Sequence, residues 1–191
     1  MSSNIIGISC VLERPSKTTA LVEIAVRASA SRFGRAGTAF DLHQLGSSLG
    51  SARQIRALPI ATRAVFDMII SADALAVGLP DGAGAHHGMF RNLFQLIGSQ
   101  DLQNKPVLLV TAARTANECR MVEDHMRPFL SYFGMRVFRD SVQATEQDFI
   151  DSCPVSDALQ HRLGQSIGQF VPYFAQTLPH QVIQQFPARA A

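Results

Sequence analysis

The apolar run NIIGISCVL (4–12) leads into a short segment that has the side chains to bind an anion. A helical pattern begins directly behind Ser16, so hydroxyls and cations would surround the unpaired N–H groups of a helix N-terminus, which suits a phosphate monoester. Ordinary capping of that helix by Ser16 explains the serine equally well, and spacing alone leaves both interpretations open. The candidate residues are Ser9, Arg14, Ser16, Lys17 and Thr18.

The stretch VGLPDGAGAHHGMF (77–90) has the look of a nucleotide-binding loop, because an apolar run ends in several glycines. It follows the third predicted strand, however, and no acidic residue closes the next strand to bind a ribose hydroxyl. A dinucleotide site is therefore disfavoured. Pro80-Asp81-Gly82 is typical of a turn whatever else the stretch does.

Two other kinds of site are disfavoured by residue spacing. His86 and His87 are adjacent, so at a helix start they would point about 100° apart and chelate one ion poorly. Ser9 lacks the G-x-S-x-G setting of a hydrolase nucleophile. We therefore expect no metal and no covalent catalysis by serine.

Composition indicates one globular domain, because 191 residues with 47% hydrophobic content suffice for one substantial core. The net charge of +2 is spread without a basic block, which argues against nucleic acid and membrane partners. Cys10, Cys119 and Cys153 show no CxxC pairing, so a reducing cytoplasm fits best. We predict a cytoplasmic protein with its domain at residues 1–175 and a C-terminal tail at 176–191.

Continuous apolar runs alternate with helical patterns, which predicts buried parallel strands in a doubly wound α/β fold with sheet order 2-1-3-4-5. Two weaker runs, TAFDL (38–42) and MRVFRDSV (135–142), are predicted to lie nearer the sheet edges. Residues 43–58 are predicted to be a polar linker. One helix is expected to bury a stripe consisting of Val122, His125, Met126, Phe129 and Phe133.

In such a sheet, ligands bind outside the carboxyl ends of the strands, near the point where the strand order reverses. This rule selects three loops, at residues 9–18, 80–88 and 111–118. The candidate anion-binding residues lie in the first of these loops, and the glycine-rich stretch forms the second.

Four segments together resemble the NAD(P)H-dependent FMN reductases of the flavodoxin-like fold. These segments are RPSKT (14–18), GLP with GMFRNLFQLI (88–97), KPVLLVTAA, and VEDHMRPFLSYFGM (122–135). The likeness is strongest to the reductase subunits of two-component alkanesulfonate and methanesulfonate monooxygenases. The resemblance implies a three-layer sandwich, FMN and NAD(P)H as cofactors, and a partner monooxygenase.

The resemblance also implies roles for residues in each loop. The residues of the first loop would surround the FMN phosphate, and Arg114 in the third loop could meet a phosphate of the nicotinamide cofactor. The middle loop would border the flavin ring, and the flavin would do the chemistry without a side-chain acid or base. Besides the first-loop residues, the implied set is Pro80, Asp81, Gly82, His86, Thr111 and Arg114.

Several residues depart from the family pattern. Cys10 and Val11 replace a glycine and a serine of the first loop, while Ala112 and Ala113 replace two glycines of the third. Gly82 lies where the family has an aromatic ring beside the flavin. We therefore expect weak flavin binding, with FMN behaving as a substrate that leaves. The alternative is a paralogue that has lost flavin binding and serves as an accessory subunit.

The apolar residues of the helix at 89–97 could face the core alone, but they lie on more than one side, and in the family this helix lies between subunits. We therefore predict a homodimer or homotetramer in which Phe90, Leu93 and Phe94 are buried by a partner subunit.

Overall fold

The computed structural model describes residues 4–80 and 85–174. The strands are β1 (Asn4–Ser9), β2 (Ala36–Asp41), β3 (Ala74–Pro80), β4 (Pro106–Ala112), β5 (Arg136–Val137), β6 (Val142–Ala144), β7 (Phe149–Ile150) and β8 (Cys153–Pro154). The helices are α1 (Lys17–Phe33), α2 (Leu42–Leu45), α3 (Ser48–Ser51), α4 (Ile60–Ser71), α5 (Ala85–Ile97), α6 (Ser99–Leu102), α7 (Ala116–Tyr132), α8 (Asp157–Ile167) and α9 (Val171–Phe174). The predicted tail at 176–191 lies outside these residues.

The main sheet is parallel in the order β2-β1-β3-β4-β5, which confirms the predicted fold class. The fifth position is split, because β5 pairs with the start of β4 and β6 pairs with its end. At the break, Arg127 of α7 donates to the backbone carbonyls of Phe138 and Arg139. A side chain therefore satisfies backbone groups where the strand is interrupted.

Successive residues of the central strands point into two separate cores, as expected for a sheet covered on both faces. One core contains Ile6, Ile8, Leu75, Val77 and Leu109 beneath α4, α5 and α7. The other packs against α1 and α8 and contains Ile5, Ala74, Ala76, Leu108 and Val110. The result is a three-layer sandwich.

Helix α1 packs unusually close to the sheet because glycines face it. A Cβ atom on Gly7 would lie 2.6 Å from side-chain atoms of Val22 and Val26, and one on Gly78 would lie 2.2 Å from Val22. Any side chain at these positions would push the helix outward. The two glycines therefore allow α1 to lie close to β1 and β3.

The first helix begins and ends as its sequence predicts. Ser16 is the N-cap, and its Oγ accepts a hydrogen bond from the Thr19 amide at 3.3 Å. Gly34 ends the helix in the left-handed conformation with φ 62°, which glycine adopts without a steric penalty.

The prediction of a polar linker at residues 43–58 is wrong. This segment forms most of α2, all of α3 and a 3-10 turn, and it buries Leu45, Leu49 and Leu58 in the core. Asn92 of α5 donates to the carbonyls of Leu49 and Ala52 at 2.6 and 2.9 Å. Widely spaced leucines held by a distant asparagine leave no periodic pattern in the sequence.

The prediction that Phe90, Leu93 and Phe94 are buried between subunits is also wrong. All three are at most 1% exposed in the single chain. The rings of Phe90 and Phe94 pack against Phe129 of α7, with ring centroids 5.8 and 6.2 Å apart. Helix α5 therefore uses its most apolar side to bind α7 of the same chain.

Helix α7 begins earlier than its apolar stripe suggests, because Thr115 and Glu118 form a capping box. The predicted buried stripe is wrong at one position, because His125 is exposed, whereas Glu123, which was not predicted, is buried. Among the described residues, no helix is both long and apolar enough to cross a membrane.

Candidate functional site

The three predicted loops leave the same edge of the sheet from neighbouring strands. Ser9 at the end of β1 lies opposite Gly78 of β3, and Pro80 of β3 lies opposite Ala112 of β4. The loops at 9–18, 80–88 and 111–118 therefore start side by side, as the sheet order predicts.

The N-terminus of α1 lies at this edge and offers donors that the helix itself does not use. The first main-chain bond inside the helix runs from the Ala20 amide to the Ser16 carbonyl, so the amides of Lys17 and Thr18 precede it. The positive end of the helix dipole favours an anion at the same place. These groups are typical of a phosphate-binding helix start.

Lys17 is the cation nearest to this helix start, and it is only loosely engaged. Its Nζ lies 3.8 Å from the carboxylate of Glu146, and the two side chains are 40% and 62% exposed. The same Nζ lies 5.8 Å from the ring centroid of Phe149. An exposed ion pair at this distance contributes little stability, so a ligand anion can replace Glu146 at small cost.

Two hydroxyl residues of the first loop are buried. Ser9 is fully buried, and its Oγ lies 2.9 Å from Oγ1 of Thr19 in the first turn of α1. Thr18 is 4% exposed, and its methyl group faces Gly78. These contacts tie the helix start to β1 and β3.

Arg14, which the sequence predicts to lie near the phosphate, contacts a carboxylate in this structure. Its guanidinium donates to Oδ2 of Asp41, with Nε 2.7 Å and Nη2 2.5 Å away. Asp41 ends β2 and is 1% exposed. The sequence offered no signal for this pair, because the two residues lie in different elements 27 positions apart.

In the third loop, the Thr111 hydroxyl is directed into the protein. Thr111 is 1% exposed, and its Oγ1 donates to Oε1 of Glu123 at 3.2 Å. Ala112 is buried in the core beside α1. Arg114 is 73% exposed and pairs with Glu118 at 3.0 Å.

Glu123 is a buried carboxylate that the sequence analysis missed. Its Oε1 also accepts from Oγ of Ser141 at 2.5 Å and Nε2 of Gln143 at 3.0 Å. Its Oε2 accepts from Arg127 at 3.2 Å. The carboxylate thus joins β4, α7 and β6 directly beneath the third loop.

The predicted middle-loop contacts cannot be compared with the structure. Asp81 and Gly82, and the side chains of Pro80 and His86, lie outside the described part of the chain. The role of these residues beside a flavin ring stays a prediction.

Cys10, Cys119 and Cys153 are all free thiols. Cys10 is 2% exposed, and burial raises the pKa of its thiol well above the usual value. Across residues 4–80 and 85–174, no group of acidic, histidine and cysteine side chains could hold a metal ion.

A separate open cavity of about 490 Å³ lies at the amino ends of the strands. Its lining includes Asp73, Asp101, Asn104 and Lys105. The predicted loops lie at the opposite edge of the sheet, so this cavity is not the candidate site.

Comparison with known proteins agrees with this geometry. Residues 3–149 match the model of the NADPH-dependent FMN reductases. An FMN reductase (NADPH) from Pseudomonas aeruginosa is 28% identical over 170 residues, covering 89% of this chain and 91% of the relative. The NADH-dependent FMN reductase SfnE from Pseudomonas putida is 29% identical over 171 residues, covering 90% and 92%.

Solved structures show the same fold. An oxidoreductase from Corynebacterium diphtheriae has a TM-score of 0.73 at 22% identity, covering 91% of this chain and 97% of that one. The apo form of the NADH:FMN oxidoreductase EmoB has a TM-score of 0.69 at 21% identity, covering 93% and 91%. The family match extends over most of the chain and includes all three loops, so this chain belongs to the NADPH-dependent FMN reductase family.

Proposed function

We propose that this chain passes hydride from NAD(P)H to FMN and releases the reduced FMN to a partner flavin-dependent monooxygenase. The reductase activity is the one named for the family and for both relatives. The partner is supported by the resemblance of RPSKT and HMRPFLSYFG to reductase subunits of two-component systems. A cytoplasmic location belongs to the same proposal, in keeping with the free thiols.

The observation that carries the proposal is the start of α1 at the carboxyl ends of the strands. There the amides of Lys17 and Thr18, the Ser16 side chain and the weakly paired Lys17 ammonium fit a phosphate monoester. In this proposal, Pro80, Asp81, Gly82 and His86 border the flavin ring. Arg114 is exposed and could reach a phosphate of the nicotinamide cofactor.

FMN, when bound, supplies the ring that accepts the hydride. The chain contributes binding and orientation. The helix start would hold the phosphate of FMN, and the loops after β3 and β4 would flank its ring. No proton transfer by a side chain is required. In agreement with this, the Thr111 hydroxyl and the Glu123 carboxylate are hydrogen-bonded to each other.

The purified chain tests the proposal directly. It should be colourless and should oxidise NADH or NADPH only after FMN is added, because Gly82 removes a stacking contact of about 1 kcal/mol. The decay of NAD(P)H absorbance measures this. Tightly bound yellow flavin would contradict weak binding. Failure of FMN, FAD and riboflavin alike, with no heat of flavin binding in calorimetry, would favour the accessory-subunit alternative.

The proposed assembly is a homodimer or homotetramer that uses the exposed side of α5 and the neighbouring end of α7. An open groove of about 750 Å³ between these helices is lined by Arg91, Gln95, Phe129 and Tyr132, among others. Tyr132 is 81% exposed there. A Tyr132→Glu variant should sediment as a smaller particle than the wild type. A wild-type monomer at micromolar concentration would contradict this assembly.

A further inference from the structure

The Arg14–Asp41 ion pair bridges the first loop and the end of β2. Both oxygens of the Asp41 carboxylate accept hydrogen bonds. Oδ2 accepts from Arg14, and Oδ1 accepts from the backbone N–H of Gln44 at 2.8 Å. The two side chains differ in exposure, at 49% for Arg14 and 1% for Asp41. The countercharge of the buried Asp41 carboxylate therefore comes from a half-exposed arginine.

Asp41 lies close to the proposed phosphate site. It is opposite Ser9 in the ladder between β1 and β2, where neighbouring strands are about 4.8 Å apart. Ser9 in turn contacts Thr19 in the first turn of α1. Without Arg14, the negative charge of Asp41 would act on any anion at this helix start with little screening by water.

The first loop contains two cations, one tightly and one loosely paired with a carboxylate. Arg14 makes two short contacts with a single carboxylate oxygen, whereas Lys17 faces an exposed Glu146 at 3.8 Å. Moving Arg14 away from Asp41 would leave a buried carboxylate without its countercharge, which is strongly unfavourable. Lys17 can change partner at little cost.

We propose that Arg14 is a positioning residue that neutralises Asp41, and that Lys17 supplies the charge that meets the phosphate. This inference rests on the proposed function, since it assumes FMN binding at α1. It replaces the sequence-based prediction that Arg14 contacts the phosphate directly. It also assigns a role to Asp41, which keeps Arg14 at the loop and must itself stay neutralised.

Flavin titrations of the full chain test this assignment, with FMN and riboflavin as the two probes. Four proteins are compared: wild type, Arg14→Gln, the double variant Arg14→Gln/Asp41→Asn, and Lys17→Gln as the matched control. Arg14→Gln should weaken FMN about tenfold and riboflavin much less, because the Asp41 carboxylate then lacks its countercharge. The double variant should recover FMN affinity to within about threefold of wild type, because both charges are gone.

The double variant is decisive because it removes a buried ion pair without leaving an unpaired charge, so we expect it to fold even if Arg14→Gln does not. If it binds FMN as weakly as Arg14→Gln while riboflavin is unaffected, Arg14 touches the phosphate and the inference is overturned. Equal losses of FMN and riboflavin in Arg14→Gln would mean a purely structural role and would also overturn it.

Lys17→Gln separates this inference from the proposed function. It should weaken FMN binding selectively and leave riboflavin binding unchanged. If Lys17→Gln affects only FMN but the double variant shows no recovery, the phosphate site stands and the assignment of Arg14 fails. A wild-type chain that binds neither flavin overturns both.

Discussion

The two ends of the parallel sheet hold a lysine in opposite ways. At the amino end, Lys105 is 8% exposed, and its Nζ donates to the carbonyls of Ile69, Ile70 and Ala72 at 3.1, 2.8 and 2.7 Å. At the carboxyl end, Lys17 is 40% exposed and has its nearest carboxylate, Glu146, at 3.8 Å. The Lys105 ammonium is hydrogen-bonded to carbonyls at the end of α4, while the Lys17 ammonium is loosely paired beside the start of α1.

The difference shows that a lysine near a strand end is available to a ligand only when the protein leaves its donors unused. All three N–H groups of Lys105 can be used by the three carbonyls. Burial lowers the pKa of Lys105, although Asp73 and Asp101 act in the opposite direction. A cavity beside Lys105 is therefore not evidence of an anion site, whereas the exposed Lys17 fits one.

The largest expected effect is on folding, from Lys105→Met. This change leaves three carbonyls at the end of α4 without their donor, and we expect it to lower the free energy of unfolding by about 3 kcal/mol. Lys17→Met should cost less than about 0.5 kcal/mol, because its ion pair is exposed. Urea denaturation measures both. Equal costs would remove the contrast between the two ends.

A second test asks whether the carboxyl end also contains groups that serve only the fold. Glu123→Gln would place an amide N–H₂ against Arg127 or against the hydroxyl donors, and we expect a loss of about 2 kcal/mol. The control is Glu146→Gln, an exposed acid for which we expect almost no change. Thermal or urea unfolding distinguishes them, and a harmless Glu123→Gln would show that this network is dispensable.

At the proposed ligand site, Lys17→Gln should weaken FMN about tenfold, because one charge-assisted contact to phosphate is lost. Riboflavin, which lacks the phosphate, should bind as in the wild type. Lys105→Met serves as the control here, since its folded fraction should bind FMN normally. Flavin fluorescence titration gives all these affinities, and an equal loss of both flavins in Lys17→Gln would contradict a phosphate role.

The smallest expected effect is the pH dependence contributed by Lys105. Its folded pKa is lowered from the ordinary value of 10.5, so the unfolded chain binds more protons in the window below that value. The contribution of Lys105 to stability therefore rises as pH increases through this window. Lys105→Met should lack this rise when unfolding is followed from neutral to alkaline pH. Parallel pH profiles for the two proteins would contradict the lowered pKa.

Local sequence signals were sufficient for the regular elements of the fold. Continuous apolar runs predicted the central strands, because a strand covered on both faces buries every side chain. Ser16 and Gly34 marked the ends of α1, because capping depends on residues adjacent in the chain. The family resemblance added the assignment of the three loops to a flavin.

The errors arose where a residue's partner lies far away in sequence. Phe90 and Phe94 read as an exposed apolar face, yet they pack against Phe129 of the same chain. Residues 43–58 were predicted to be a linker. The contact that fixes them comes from the side-chain amide of Asn92, which belongs to another helix and leaves no local signal. Apolar periodicity indicates that a face is covered, but it does not identify what covers it.

The sequence by itself determined the order of the parallel sheet, the start of α1 and the presence of cations in the first loop. Only the tertiary structure decided which cation is available, because Asp41 reaches Arg14 from β2 and Glu146 approaches Lys17 from beyond β6. It also decided that Lys105 donates to backbone carbonyls of another element and that Glu123 accepts from hydroxyl groups of other elements. The physical reason is that the strength of a charged contact depends on distance and burial in space, which spacing along the chain does not specify.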